Sequence, residues 1–176
     1  AGELNVFSYA IDRYVFLDVT GEIREGLREA RYVQADSRYS GFEASGDVQL
    51  GKGIHLEAGL SAVRATLAGG EALPRIPPLS GRVRLELPWR RLTLAPELVA
   101  TARQDRVFRD EEPTEGSVRF NVAGTFFLVR GHATHAVTVK AQNLFDEAYR
   151  LHTSFIKDLA PEMGRSVLAT YTIRFF

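Results

Sequence analysis

The sequence contains no cysteine, one tryptophan and one methionine among its 176 residues. Without cysteine, neither a disulfide framework nor a thiolate metal site is possible. Basic residues (Lys and Arg) and acidic residues (Asp and Glu) number 22 each, so the formal net charge is zero. Because binding to nucleic acid requires a concentrated basic surface, we expect no nucleic-acid partner.

Long apolar runs are also missing. No segment reaches the roughly 18 apolar residues that a membrane-spanning helix needs, and the mean hydropathy is −0.12. A membrane β-barrel is not excluded by this, because its strands alternate apolar and polar residues and give a weak hydropathy signal. The first residues, Ala1–Asn5, lack the basic and apolar regions of a signal peptide. We therefore expect either a mature exported protein or part of a longer chain.

Alternation with a period of two residues dominates the sequence and predicts about eight β-strands. In residues 117–128, for example, Val118, Phe120 and Val122 alternate with Arg119 and Asn121. The other alternating segments are residues 42–50, 54–62, 82–87, 92–103, 137–142 and 166–175. A further strand is expected near residues 4–11, but its phase is ambiguous.

The polar faces of these predicted strands carry many charges: Arg82, Arg84, Glu86, Glu97, Arg119 and Lys140. Such groups cannot line a dry core without partners, so they are expected to pair or to face water. Pro96 lies within one of the strands and lacks a ladder donor, which predicts a sheet edge or a local bulge there.

The connections between the predicted strands alternate between short and long. Short turns are predicted at residues 51–53, 88–91 and 129–132, and long polar loops at residues 20–30, 67–80, 104–115 and 143–163. Outer-membrane barrels have this asymmetry, with short periplasmic turns and long external loops. It would place Trp89, Phe126 and Phe175 near one rim, as in an aromatic girdle. A soluble antiparallel barrel or sandwich remains the alternative.

Residues 137–150 form an alternating strand followed by Asn143-Leu144-Phe145-Asp146, two further residues, and Tyr149-Arg150. This segment resembles the penultimate strand and following motif of TonB-dependent receptors. The sequel is also similar, with His152, Gly164-Arg165 and a last strand that ends in aromatic residues. Residues 32–43 and 73–78 resemble segments in the zinc-uptake branch of these receptors.

The resemblance implies an all-β, antiparallel transmembrane barrel. Residues 1–176 would form the C-terminal segment of a plugged barrel of about 22 strands, with the plug outside this chain. Its partners would be outer-membrane lipid, the rest of the receptor including the plug, the TonB complex acting through the plug, and the barrel-assembly machinery. That machinery would recognise the terminal strand, in which Phe175 holds the apolar phase and Phe176 lies one residue beyond it.

The function implied by the resemblance is active uptake of a scarce solute, such as a metal or a metal chelate, without a cofactor. A self-contained eight-stranded barrel with a structural or adhesive role remains the alternative. An outer-membrane phospholipase or protease is disfavoured, because the sequence contains neither a Gly-rich phosphate loop nor a nucleophile elbow.

Candidate binding residues lie at the predicted outer ends of the strands: Arg31, Gln34, Arg103, Arg150 and His152. Likeness to the zinc-uptake branch makes His152 a candidate loop ligand, but the four histidines have no metal-ligand spacing. No metal site and no catalytic residue is therefore predicted. Asn143 and Asp146 are expected to cap a turn, because both side chains hydrogen-bond readily to nearby backbone.

Overall fold

Eight antiparallel strands form one sheet in the computed structural model, which describes the backbone of residues 1–176 and all side chains except those of residues 21, 24, 27 and 28. The strands lie side by side in chain order. They are β1 (Gly2–Arg24), β2 (Leu27–Leu50), β3 (Ile54–Leu67), β4 (Ser80–Trp89), β5 (Leu92–Thr101), β6 (Ser117–Arg130), β7 (Ala133–Gln142) and β8 (Ser166–Phe175). The prediction of about eight antiparallel strands is confirmed.

Alternation gives this sheet two chemically different faces. The apolar face carries residues such as Leu60, Val83 and Leu98, which are 44–45% exposed. The polar face carries Glu57, Arg82, Glu97 and Asn121, with residues on neighbouring strands held level by the ladder. We refer to these surfaces as the apolar face and the polar face. No helix in the described part of the chain is long and apolar enough to cross a membrane.

The predicted loop at residues 20–30 is wrong. β1 continues to Arg24 and β2 starts at Leu27, so that only Glu25 and Gly26 connect them. Both residues have positive φ, 50° and 81°, and this is the backbone geometry of the tight turns that match the twist of paired strands. The two strands therefore extend as a long hairpin beyond the segments in which alternation was evident.

The ambiguous phase of the first strand has a physical cause. Ile11 pairs with Ser37 and Tyr14 pairs with Ala35, so β1 contains one residue more than β2 across this interval. Arg13 has a φ of 52°, and its N–H donates to Oδ1 of Asp36 over 2.8 Å. This bulge moves the outward residues of β1 from even to odd positions.

Pro96 lies on β5, which has neighbours on both sides, so the prediction of a sheet edge is wrong. No register shift accompanies it either: the β4–β5 ladder has Arg84 opposite Glu97 and resumes in the same register with Leu87 opposite Leu94. The pairs between them are missing, while Pro96 remains paired with Val122 on β6. An interrupted ladder therefore accommodates the missing N–H.

The sheet does not close on itself. β1 pairs only with β2, and β8 pairs only with β7, over the whole described backbone. A self-contained eight-stranded barrel would require hydrogen bonds between β1 and β8, since closure is what removes the edges of a barrel. The alternative of a small closed barrel is therefore wrong for this chain.

The turns after β2, β4 and β6 lie together at one end of the sheet, which we call the turn end. The three long connections and the tight turn at Glu25 and Gly26 lie at the other, the loop end. Trp89 and Phe126 lie at the same height in the sheet, because both are ladder partners of Leu92. Phe175 lies nearer the end of its own strand, β8. All three side chains are exposed. The predicted grouping of these aromatic residues near one rim is confirmed.

We predict that Gly41→Ala destabilises the fold. A Cβ at Gly41 would lie 2.4 Å from the Ala62 carbonyl oxygen and 2.6 Å from Cζ of Phe7, so backbone would have to move. We expect a loss of about 1–3 kcal/mol, measured by urea unfolding of the full-length protein in micelles. Gly59→Ala is the matched control, because its Cβ would meet only the Ala44 oxygen at 3.9 Å. Equal stability of both variants would contradict the prediction.

Candidate functional site

Charged side chains on the polar face form a connected network across β3 to β6. The Arg82 guanidinium lies 3.5 Å from Glu57 and 3.2 Å from Glu97, and Arg84 contacts Glu86 at 2.6 Å. Glu97 also accepts a hydrogen bond of 2.8 Å from Nδ2 of Asn121. The expected pairing of these charges is confirmed for Arg82, Arg84, Glu86 and Glu97. An open groove of about 450 Å³ lies beside them, and its lining includes Thr138 and Lys140.

The network continues into the turn after β7 through Asn143, which is 4% exposed. Its backbone N–H donates to Oδ1 of Asn121 over 2.9 Å. Its side chain closes the turn in both directions, because Nδ2 donates to the Glu147 carbonyl and Oδ1 accepts from the Glu147 N–H, each over 2.9 Å. Asn143 adopts a φ of 50°, a conformation that asparagine tolerates better than most residues.

The rest of the motif ties this turn to both faces of the sheet. Oδ1 of Asp146 accepts a hydrogen bond of 2.7 Å from the N–H of Arg165, and a Cβ at Gly164 would lie 2.6 Å from that same oxygen. Tyr149 receives the guanidinium of Arg119 at 4.2 Å from its ring centre. Phe145 is exposed and stacks on Phe120 with ring centres 5.7 Å apart. Leu144, next to it in the motif, is half-buried.

At the loop end, the connections fold over the polar face and enclose an apolar cluster. Loop A (residues 68–79) contributes Leu73, and loop B (residues 102–116) contributes Phe108. They pack against Phe16, Ala65 and Leu67 of β1 and β3, with Phe16 and Phe108 edge to face at 5.6 Å. Burial of this cluster fixes where both loops lie, since apolar contact area is the main stabilising term in such packing.

Glu111 of loop B connects all three loops. Its carboxylate accepts hydrogen bonds from the N–H of Arg75 in loop A, at 3.1 and 3.3 Å, and from the N–H of Phe108 at 3.3 Å. The same carboxylate lies 3.4 Å from Nε2 of His152, which belongs to loop C (residues 143–165). A carboxylate that accepts several backbone donors is a strong local organiser.

His152 is 3% exposed and lies between loops B and C. Its Nδ1 shares a hydrogen bond of 2.9 Å with Oγ1 of Thr114, whereas Nε2, 3.4 Å from Glu111, forms no hydrogen bond with the residues that the structure describes. Burial lowers the pKa of His152 to about 4, and the nearby charge of Lys157 acts in the same direction. The imidazole is therefore neutral at neutral pH.

Lys157 is the second buried polar residue of this contact, with 4% exposure. Its ammonium group donates to the Glu112 carbonyl and lies 3.5 Å from Oγ1 of Thr114. Nearby, the Arg75 guanidinium lies 3.8 Å above the Phe155 ring. Loop C is thus held against loops A and B by buried hydrogen bonds as well as a cation–π contact.

A separate ion pair links loop B to the long hairpin. Nη1 of Arg109 lies 3.0 Å from Oδ2 of Asp18, and Nη2 lies 3.5 Å from Glu71 of loop A. The other oxygen of Asp18 is buried without a hydrogen-bond partner among the described residues. Loss of the Arg109 contact would leave the whole buried carboxylate of Asp18 without a partner, which is energetically costly.

The structure disperses the five residues that the sequence proposed for binding. Arg31 and Gln34 are exposed on β2, and Arg103 is exposed in loop B, 3.2 Å from Glu115. The Arg150 guanidinium donates to the Lys157 carbonyl, and His152 is enclosed as described. Arg150 and His152 both belong to loop C but have different partners, Lys157 of the same loop for Arg150 and residues of loop B for His152.

At the far end of the chain, Phe175 and Phe176 are exposed, and the N–H of Phe176 donates to the His132 carbonyl over 3.0 Å. The terminal residue therefore extends the pairing of β8 with the turn before β7. Elsewhere in the described residues, no cluster of three or more His, Asp or Glu side chains is suited to hold a metal ion. Among the described histidines, His152 forms a side-chain hydrogen bond with Thr114 and His135 forms one with Tyr171. Neither bond is to a serine, which is the partner that a Ser–His catalytic pair requires.

Sequence reasoning missed Glu111, Thr114, Lys157 and the Asp18–Arg109 pair. Loop B carries charges of both signs, and such a pattern usually indicates a solvated loop. The partners of these residues in the other loops and in β1 lie 36 or more residues away along the chain. The one available signal was the placement of Phe108 within this polar segment, since a large apolar residue there indicates a buried contact.

Known structures provide the comparison for this architecture. The chain matches the copper transporter OprC with a TM-score of 0.81 and 21% identity, over 99% of this chain and 28% of that one. The pyoverdine outer membrane receptor FpvA from Pseudomonas aeruginosa PAO1 matches with a TM-score of 0.69 and 15% identity, over 98% and 27% of the two chains. The ferric-catecholate import receptor Fiu from E. coli K12 matches with a TM-score of 0.65 and 16% identity, over 99% and 25%. No protein-family model and no curated protein sequence matches.

The chain has the fold of an outer-membrane receptor barrel wall. More particularly, it resembles the C-terminal barrel portion of TonB-dependent receptors and spans about a quarter of the length of the matched chains. The matched proteins are transporters and receptors rather than enzymes.

We predict that Asn143→Ala loosens loop C. The substitution removes both side-chain hydrogen bonds to Glu147 and places alanine at a positive φ, for an expected cost of about 1–3 kcal/mol. Hydrogen exchange of residues 143–165 in the full-length protein would report faster opening. Gln142→Ala, at an exposed neighbouring position, is the control and should leave exchange unchanged. Indistinguishable exchange in the two variants would refute the role of Asn143.

Acidification is expected to weaken the contact between loops B and C. The pKa of His152 is about 4 in the folded protein against an ordinary 6.5, so the opened loop binds a proton between these values and the closed loop does not. The stabilisation is complete above pH 6.5 and is lost as the pH falls toward about 4. The hydrogen-exchange protection of loop C, corrected for the intrinsic pH dependence of amide exchange, should fall over this range in the parent protein, and His152→Gln should remove that part of the pH dependence. An identical pH profile in both proteins would disprove it.

Proposed function

We propose that this chain forms part of the wall of a TonB-dependent outer-membrane receptor that actively takes up a scarce solute, such as a metal or a metal chelate. The observation that carries the proposal is the match of the whole eight-stranded sheet, with TM-scores of 0.65–0.81, to about a quarter of the length of such receptor chains. OprC is described as a copper transporter, FpvA as a pyoverdine receptor and Fiu as a ferric-catecholate receptor. Two of these three names specify a metal, copper for OprC and ferric iron for Fiu.

The unpaired edges of β1 and β8 support a larger barrel. Strand edges exposed to lipid would leave backbone N–H and C=O groups unsatisfied, at a cost of several kcal/mol for each group. Additional strands of the same receptor would satisfy both edges and complete the wall. Within that wall the apolar face contacts membrane lipid and the polar face lines the lumen, where the plug resides.

The ion pairs of the polar face suit a wet lumen. Arg82 is about half exposed while it contacts both Glu57 and Glu97, so water can solvate these charges. In the proposed receptor, the plug and the TonB complex perform the gating, and the wall provides a fixed polar surface. The barrel-assembly machinery would recognise the terminal strand with its exposed Phe175 and Phe176.

Solute binding is proposed at the loop end. Arg31 and Arg103 are exposed there, and guanidinium groups bind carboxylate or other anionic oxygen groups of a chelate in bidentate fashion. Gln34 lies on the other face of β2, opposite Val15, and is not part of this proposed contact. His152 would contact a solute only after loop C moves, because it is buried against Thr114, whereas Arg150 is exposed although its guanidinium donates to the Lys157 carbonyl.

The proposal is tested by deleting the gene that encodes the full-length protein in its own host. Growth of the deletion strain is compared with that of the parent in chelator-treated medium, with copper and ferric chelates supplied one at a time. We expect a growth defect and loss of labelled solute uptake with at least one metal source. A strain lacking TonB is the matched control and should show the same defect with that source.

Complementation makes this test specific to the proposed residues. The full-length gene should restore uptake, and a copy with Arg31→Gln and Arg103→Gln should restore it with a higher KM for the solute. Normal uptake of every metal source in the deletion strain would overturn the proposal. Uptake that depends on this gene but not on TonB would overturn the energy-coupling part of it.

A further inference from the structure

The turn end of the sheet carries a row of cations that are not balanced by acidic residues. The four are Lys52, Arg90, Arg91 and Arg130, and all are exposed. None of their side chains forms a hydrogen bond or an ion pair with another residue that the structure describes. They contrast with Arg82, Arg84, Arg103 and Arg109, each of which contacts a carboxylate.

The isolation of these cations is built into the sequence. Residues 48–56, 87–96 and 122–145, which surround the three turns, contain no aspartate and no glutamate. A surface with 22 acidic and 22 basic residues in total would ordinarily place opposite charges near one another. The turn end is therefore a locally basic surface on a protein without net charge.

The cations belong to one continuous rim. Gly53, next to Lys52, lies against Pro88 of β4, with Cγ of Pro88 3.3 Å from where its Cβ would be. The Arg91 carbonyl accepts a hydrogen bond of 2.8 Å from Phe127 of β6, and the His132 carbonyl accepts one from Phe176. The rim thus runs from the β2–β3 turn to the end of β8.

Two of the basic residues occupy backbone positions that disfavour them. Lys52 has a φ of 64° and Arg90 a φ of 56°, a region that favours glycine or asparagine in tight turns. The remaining hairpin of this rim uses Gly131, with a φ of 60°, in the equivalent left-handed conformation. Basic side chains are therefore present where turn geometry alone would select another residue.

Exposed aromatic side chains adjoin these cations on the side of the apolar face. Trp89 is next to Arg90 and is 66% exposed, Phe126 precedes Arg130 on the same strand face, and Phe175 is 77% exposed. Aromatic rings at this height locate the boundary between hydrocarbon and headgroups. Cations just beyond that boundary lie at the depth of lipid phosphates, to which juxtamembrane Lys and Arg residues are attracted.

We infer that this rim, formed by Lys52, Arg90, Arg91 and Arg130 beside Trp89, Phe126 and Phe175, binds the phosphates of anionic phospholipids in the adjoining membrane leaflet. The inference rests on the proposed function, because it requires the sheet to span a membrane with its short turns at one interface. It assigns the turns a role beyond connecting strands: they select lipid at the boundary of the protein.

The test uses the full-length protein folded into vesicles of phosphatidylcholine alone or with about 30% phosphatidylglycerol. We expect phosphatidylglycerol to raise the thermal unfolding midpoint and to be retained by the purified protein, as measured by mass spectrometry of bound lipid. The variant with Arg90→Gln, Arg91→Gln and Arg130→Gln should lose most of that rise and retain roughly tenfold less phosphatidylglycerol. A variant with all three changed to Lys should keep most of both.

The matched control replaces three exposed arginines at the loop end, with Arg31→Gln, Arg103→Gln and Arg165→Gln, which removes the same charge. It should retain phosphatidylglycerol as the parent does. Equal retention by the turn-end variant and the parent would overturn the inference, as would an equal rise produced by inorganic phosphate. Charge-dependent binding to isolated peptidoglycan, with no preference for phosphatidylglycerol, would also overturn it in favour of a cell-wall contact.

These outcomes separate the inference from the proposed function. Insertion into both kinds of vesicle with no lipid preference overturns the lipid site alone and leaves the barrel intact. Failure to insert into either kind removes both proposals together. Folding of each variant is checked by its heat-dependent mobility on gels, so that a loss of lipid is assigned only to protein that has folded.

Discussion

Pairing of backbone N–H and C=O groups between neighbouring strands is the constraint on which this structure depends, because such groups cost free energy when they are removed from water without a partner. Seven antiparallel ladders satisfy that constraint between β1 and β8. The ladders also hold alternate residues level across strands, and this is what assembles the Glu57–Arg82–Glu97–Asn121 network on one face. The loops depend on it in turn, since Asn143 joins that network through Asn121 and starts loop C from a fixed point.

Strand positions could be predicted where alternation is undisturbed, as in residues 117–128, because a period of two is a direct consequence of strand geometry. The prediction failed for residues 20–30, where polar composition resembles a loop although Glu25 and Gly26 form a tight turn. It also failed at Pro96, because a local gap in one ladder has no sequence signature. Closure of the sheet depends on pairing between distant strands, so alternation left both a closed and an open sheet possible.

The candidate site was harder to predict than the fold. The turn around Asn143 was accessible, because its hydrogen bonds reach only four residues along the chain. The contacts of Glu111 with Arg75 and His152, and of Arg109 with Asp18, join residues that become neighbours only after loops A, B and C fold over the polar face. A mixed-sign loop sequence does not distinguish a solvated segment from one whose charges are used internally.

The bulge at Asp12 and Arg13 also has a consequence for how this wall tolerates change in its length. β1 consists of two regularly alternating segments joined at one extra residue. Because of that residue, Val6 in the first segment and Val15 in the second lie on the same side of the sheet. Removal of a single residue there would join the two segments without a bulge, and Phe16 and Asp18 would keep their partners on β2 and their side of the sheet. The strand can therefore lose one residue at this point without turning Phe16 and Asp18 away from loop B, whereas a loss within either regular segment would shift the alternation.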